Sequence, residues 1–177
     1  VGKVGSFYGN TAVLLRAYTY ILLMGAEGLE KVAELAVLNS NYVARRIAEA
    51  RGLSLPYSTS TPRKHEAVVS AEKMYQETGV RALDVAKRLL DYGAHAPTNY
   101  FPLIVPEALM IEPTETECKE ELDRLVSAFT RISEEAYATP DRVQNAPSHT
   151  TVTRIDDVKA SHPKTLCLSW RMERERH

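Results

Sequence analysis

The run from Asp91 to Glu117, DYGAHAPTNYFPLIVPEALMIEPTETE, constrains the fold more than any other part of this chain. Gly93 stops the helix before it. Pro97, Pro102, Pro106 and Pro113 then divide the rest of the run into short extended pieces, because proline removes a backbone donor and resists a central strand. The pattern predicts two short strands, FPLIV and EALMIE, linked at Pro106 and ended by Pro113. Thr114 followed by Glu117 predicts a T-x-x-E capping box opening the next helix.

Helices are predicted on both sides of this unit. Ala12 to Met24 is apolar apart from Arg16 and Thr19 and stops at Gly25. It is shorter than the ~20 apolar residues a membrane span needs, so no membrane partner is expected. It is predicted as a helix buried on most sides. From Glu27 to Ala50, the positions Leu29, Val32, Ala33, Ala36, Ser40, Val43 and Ile47 keep helical spacing. Leu35, Leu38 and Tyr42 form a second stripe, which implies a second neighbour: another domain or subunit, or a thick intramolecular core. Leu53 to Arg63 is a loop or short edge strand, His65 to Ser70 a strand, Met74 to Gly79 a polar connection and Val80 to Tyr92 an amphipathic helix. The stripe Leu122, Leu125, Val126, Phe129, Ile132, Ser133 and Ala136 carries the last long helix to about Tyr137, and beyond Pro140 periodicity fades into a surface tail. The expected class is α+β, a small largely antiparallel sheet covered by helices.

Composition excludes several functions. At 44% hydrophobic and 25% charged the chain of 177 residues can bury a core. A net charge of −1 provides no field to recruit nucleic acid. Cys118 and Cys167 form no C-x-x-C and fit a reducing cytoplasm. There is no phosphate loop, no G-x-G-x-x-G and no G-x-S-x-G elbow. His65-Glu66 starts like a zinc-protease motif, but the second His would have to be residue 69, which is Val69, so no metal is expected from this motif.

Three polar groups remain. His65 and Glu66 at a strand start read either as a hydrogen-bonded strand end or as a substrate-side pair. His95 and Thr98, on a rigid proline-flanked loop, read either as backbone-bonded or as presented site residues. The third group runs from Glu112 to Glu117, in which Glu115 and Glu117 read as helix-cap and dipole residues ahead of catalytic acids.

DYGAHAPTNYFPL followed by ALMIEPTETE closely resembles the C-terminal region of glycine decarboxylase, the P-protein of the glycine cleavage system. FYGNTAVLLRAYTYILLMGAEGL, AVLNSNYVARRI, HEAVVS, DVAKRLLDYG and PSHTTVTRIDDV fall in the same order, so the resemblance covers nearly the whole chain. It points to the second, pyridoxal-phosphate subunit of the two-subunit form. The resemblance implies the small C-terminal domain of an aspartate-aminotransferase-like (fold type I) enzyme. It implies decarboxylation of glycine on pyridoxal phosphate, with the aminomethyl group passed to the lipoyl arm of the H-protein. Implied partners are a cofactor domain absent from this chain, subunit 1, the lipoylated H-protein and glycine.

The family's His-Lys Schiff-base motif is missing, and Lys64-His65 has the reverse order. The expectation is therefore a part of a longer protein, inactive alone, and Val1 is not a start residue. The expected layout is 1–25 as linker and buried connecting helix, 26–140 as the small domain and 141–177 as the tail. Through the resemblance, Gly9 and Asn10 lie where backbone amides approach the cofactor phosphate, and His95 and Thr98 lie at the active-site entrance or the lipoyl path. Ala94 stands where the family commonly has an aromatic. Two other classes stay open. One is the closing domain of a different pyridoxal-phosphate enzyme (an aminotransferase or a cysteine desulfurase), with Arg63 or Arg81 on a substrate carboxylate. The other is a non-catalytic subunit docking a partner through its two-striped helix.

Overall fold

The computed structural model describes residues 2, 9–57, 60–166, 170 and 174. Helix α1 (Thr11–Ile47) opens on Asn10, whose side-chain oxygen accepts from the amides of Ala12 at 3.1 Å and Val13 at 3.4 Å. At Gly25 the backbone reaches φ 62° and ψ −172°, a region only glycine enters without strain. The expected stop is therefore a kink between two helical halves. The C-terminal half buries Ser40, Val43, Ala44 and Ile47. The N-terminal half, expected to be buried, is left open among the described residues: Leu22 is 64% and Leu23 75% exposed. Tyr20 ties it to the body, its hydroxyl donating to Glu115 Oε1 at 2.5 Å.

Strands β1 (Ala67–Ser70), β2 (Thr98–Asn99) and β3 (Ala108–Ile111) form an antiparallel sheet in the order β1-β3-β2. Ala67 pairs with Ile111, Val68 with Met110 and Thr98 with Met110. Side chains alternate across the sheet. Ala67, Val69, Leu109 and Ile111 are buried, whereas Val68, Met110 and Thr98 share the more open face.

Two strand expectations need correction. FPLIV is a turn: Pro102 and Pro106 supply no N–H, the Val105 amide donates to the Pro102 carbonyl at 3.0 Å, and Tyr100 (φ 57°) and Glu107 (φ 48°) have left-handed backbone. The strand lies upstream, at Thr98–Asn99. His65 and Glu66 precede β1 instead of opening it.

Helices α2 (Glu72–Thr78), α3 (Ala82–Asp91), α4 (Lys119–Ala138), α5 (Pro140–Gln144) and α6 (Asp157–Ser161) complete the described elements. Residues expected as a polar connection form α2, because Met74 is fully buried and Gly79 ends the helix at φ 77°. The capping box at Thr114 and Glu117 does not form. The helix begins later, behind Cys118; Thr114 Oγ1 instead meets Thr116 Oγ1 at 2.7 Å, and the Glu117 amide donates to the Thr114 carbonyl. The early segment is held elsewhere: Asn39 Nδ2 donates to the carbonyls of Thr114 at 2.9 Å and Glu117 at 3.2 Å.

The core lies between the sheet and these helices and includes Ile47, Val69, Met74, Leu89, Leu109, Phe129 and Ile132. Each large side chain moved from water adds roughly 1.5–3 kcal/mol before conformational entropy is counted. The first part of the tail joins this core, since Val143 and Ala146 are fully buried. Gly52 permits the tight approach beneath α4. Its φ is +80°, and an added Cβ would come within 2.6 Å of the Tyr137 hydroxyl and 2.9 Å of Met74 Cβ. Gly52→Ala is expected to cost about 2 kcal/mol or more, from left-handed strain together with overpacking. Urea unfolding checks this, and a loss below about 0.5 kcal/mol would refute the close approach.

Candidate functional site

A groove of about 610 Å³ opens where the loop after α3, the end of β3 and the first turns of α4 meet. His95 and Thr98 both line it, as do Met110, Glu112, Glu121, Arg124 and Leu125. Thr98 gets there through strand parity, opposite Met110 on the open face of the sheet. His95 gets there because Gly93, at φ 73°, turns the chain out of α3. His95 and Thr98 are exposed.

A buried ionic cluster backs the groove. Arg88 grips Glu135 with two bonds, Nε to Oε2 at 2.8 Å and Nη2 to Oε1 at 2.9 Å, and reaches Asp91 Oδ2 at 2.7 Å. Tyr92, a groove residue, donates to Glu135 Oε1 at 3.0 Å. Burial raises the Tyr92 phenol above its ordinary value, and the Glu135 carboxylate raises it further. Burial also pushes the Asp91 carboxyl up, but the amides of His149 and Ser148 and the Arg88 guanidinium outweigh it, leaving the group below 3.8. Glu135 likewise ends below 4.5: burial raises it, and the bonds from Arg88 and Tyr92 more than offset that. The loop presenting His95 thus leaves a rigid base.

His65 and Glu66 do not line the groove, but they meet it through Glu112. The β1–β3 register, carried one step past Ala67 and Ile111, sets Glu66 across from Glu112, and His65 Nε2 lies 3.4 Å from Glu112 Oε1. Glu115 accepts from Tyr20 and holds α1. Glu117 lines the groove, while its carbonyl holds Asn39. Asn10 spends its side chain on the helix cap. Arg63 and Arg81 line no part of the groove; Arg81 bonds the Tyr75 hydroxyl at 3.1 Å. Cys118 is exposed and unpaired, and Cys167 lies outside the described residues.

Sequence reasoning included Glu112 only as the start of the polar Glu112-to-Glu117 group, without a role of its own, and it missed Glu121 and Arg124. The signal for the last two was present: Glu121, Arg124, Leu125 and Ala128 keep i, i+3, i+4, i+7 spacing, an edge beside the core stripe. Glu121 and Arg124 pair at 2.5 Å. Arg124 is the groove's sole Arg or Lys among the described residues, and no lysine lines it. The residues present therefore do not make a complete pyridoxal-phosphate site, which needs a Schiff-base lysine.

Comparison with known proteins adds three findings. The family model described as "Glycine dehydrogenase, C-terminal domain" matches residues 32–153. A protein of Pyrococcus furiosus named "probable glycine dehydrogenase (decarboxylating) subunit 2" is 59% identical over 175 residues, covering 99% of this chain and 34% of that protein. A protein of the same name from Thermotoga maritima is 55% identical over 171 residues, covering 97% of this chain and 35% of its own length. The chain thus spans about a third of these curated relatives. A crystal structure of glycine decarboxylase (P-protein) of the glycine cleavage system, in inhibitor-bound form, superposes on 64% of this chain and 24% of its own, with a TM-score of 0.54 and 23% identity. That likeness concerns the fold.

Proposed function

We infer function from one premise: this chain belongs to the glycine dehydrogenase C-terminal domain family. We propose that it is the closing domain of subunit 2 of a glycine dehydrogenase (decarboxylating). In this reading the complete protein decarboxylates glycine on pyridoxal phosphate and passes the aminomethyl group to the lipoyl arm of the H-protein. The cofactor, its lysine and most glycine contacts belong to the rest of the protein, and subunit 1 completes the assembly in the cytoplasm.

The observation that carries this reading is a pairing of surfaces. The groove holds polar side chains without a lysine, and beside it the N-terminal half of α1 exposes Val13, Leu14, Leu15, Tyr18, Ile21, Leu22 and Leu23. Large apolar side chains exposed around most of a helix in this way mark an interface. Residues 1–25 then act as linker and connecting helix that the cofactor domain buries, 26–140 as the small domain and 141–177 as the tail. The backbone at Gly9 and Asn10 lies toward the cofactor phosphate. His95 and Thr98 line the entrance or the lipoyl path, with His65 and Glu66 on the substrate side.

Reconstitution tests this. The isolated chain is expected to show no pyridoxal-type Schiff-base absorbance and no glycine-dependent exchange of carbon dioxide. Joined to the remainder of subunit 2 and to subunit 1, it is expected to support exchange, and His95→Ala is expected to reduce aminomethyl transfer by roughly 100-fold, the scale of a mispositioned reactant. An internal Schiff base in the isolated chain would defeat the reading. Tight binding of the missing parts without exchange would favour the interaction subunit.

A further inference from the structure

His65, Glu66 and Glu112 place one imidazole nitrogen and two carboxylate oxygens all within 4.8 Å of one another. We propose that these three side chains form a binding site for a divalent transition-metal cation. The site lies at the open end of the β1–β3 ladder and goes beyond the proposed function, which places His65 and Glu66 on the substrate side; its geometry stands without that reading.

Electrostatics is the first reason. Glu66 and Glu112 stand across from each other one step beyond the Ala67–Ile111 pair of the antiparallel register. Like charges directly opposite on a ladder repel. Among the described residues neither carboxylate forms an ion pair with a lysine or arginine, and the only basic side chain in contact is the His65 imidazole, 3.4 Å from Glu112 Oε1. With a neutral imidazole the group carries two negative charges, which a dication neutralises.

Donor chemistry is the second reason. One imidazole with two carboxylates suits Zn²⁺, Mn²⁺ or Co²⁺, and it lacks the thiolates that select Cu(I). Bonds of about 2.0–2.2 Å to each donor in tetrahedral geometry require the donors to draw together by up to about 1.4 Å. The His65 and Glu112 side chains, 55% and 56% exposed, can turn that far without disturbing the core. Three protein ligands leave a coordination position for water or for a carboxylate of a bound molecule. Because Glu112 also lines the groove, the cation sits at the groove's rim.

The spacing explains why the sequence hides the site. Two ligands are adjacent just before β1 and the third is 46 positions later, so only the strand register brings them together.

The test is calorimetric titration of the full chain with Zn²⁺ in a non-chelating buffer, with Co²⁺ absorption as a second readout. One equivalent is expected. His65→Ala is expected to abolish it, and Glu112→Gln and Glu66→Gln each to weaken it at least about tenfold. His149→Ala and His162→Ala serve as controls and are expected to bind as the parent does. Circular dichroism confirms that each variant is folded, and the two conservative glutamine variants decide the matter if His65→Ala does not fold. Absence of binding overturns the proposal. So does an equivalent that survives Glu112→Gln and Glu66→Gln undiminished, which would be an adventitious ion only.

Discussion

Replacing Arg88 with methionine is expected to destabilise the domain by about 3–5 kcal/mol, because it leaves Asp91 buried without its counter-ion and Glu135 with only the more exposed Arg142, 3.4 Å away. The Arg88 side chain is 3% exposed, and its partners Asp91 and Glu135 are 1% and 14% exposed. The guanidinium donates Nε and Nη2 to Glu135 and Nη1 to Asp91, a planar fork that lysine cannot copy. Arg88→Lys is therefore expected to recover only part of the loss. In a domain of this size the methionine variant should melt roughly 10 °C lower. Calorimetry checks this, and a shift below about 2 °C would mean that the cluster is dispensable.

The same cluster sets an acid limit. Asp91 and Glu135 both lie below their ordinary values of 3.8 and 4.5. The folded state therefore releases these protons more readily than the unfolded chain does. The stability the two groups contribute is complete at neutral pH, and it is lost as the pH drops below those values and through the lower folded ones. The tail should loosen in the same window, since the Asp91 carboxylate accepts from the amides of Ser148 at 2.8 Å and His149 at 2.7 Å. The Arg154–Asp84 pair at 2.7 Å holds its next turn.

Periodicity made the long helices legible. The α4 stripe from Leu122 to Ala136 is the buried face except at Leu125, which is half-buried on the groove, and Gly25, Gly79 and Gly93 fall at real changes of direction. Short elements were less readable, because their fate depends on distant partners. FPLIV carries strand-forming residues, yet two prolines and two left-handed residues turn it into a loop. Thr114 and Glu117 carry a capping signature, yet Asn39, 75 positions away from Thr114, takes the carbonyl that organises the segment. The groove was half-visible for the same reason. His95 and Thr98 stand out on a proline-flanked loop, whereas Glu112 matters only once β3 is paired. The N-terminal half of α1 departs from expectation because an apolar helix signals burial without saying which chain supplies the cover.

Phe129 joins the two aspects of the molecule, and Phe129→Ala is expected to cost about 3–5 kcal/mol. The ring is 1% exposed within the main core, yet it also contributes to the groove floor beside Leu122, Leu125 and Ala128. Truncation removes its contacts and joins the resulting cavity to the groove, where water can enter. A milder change separates these two consequences. Phe129→Leu retains most of the apolar volume, so its stability loss should stay near ~1 kcal/mol, while the floor loses its aromatic surface. If the groove is used in the complete protein, Phe129→Leu should impair aminomethyl transfer more than its small stability loss explains. Unchanged transfer in a stably folded Phe129→Leu protein would confine Phe129 to the core, and a loss below about 1 kcal/mol for Phe129→Ala would contradict its packing as described.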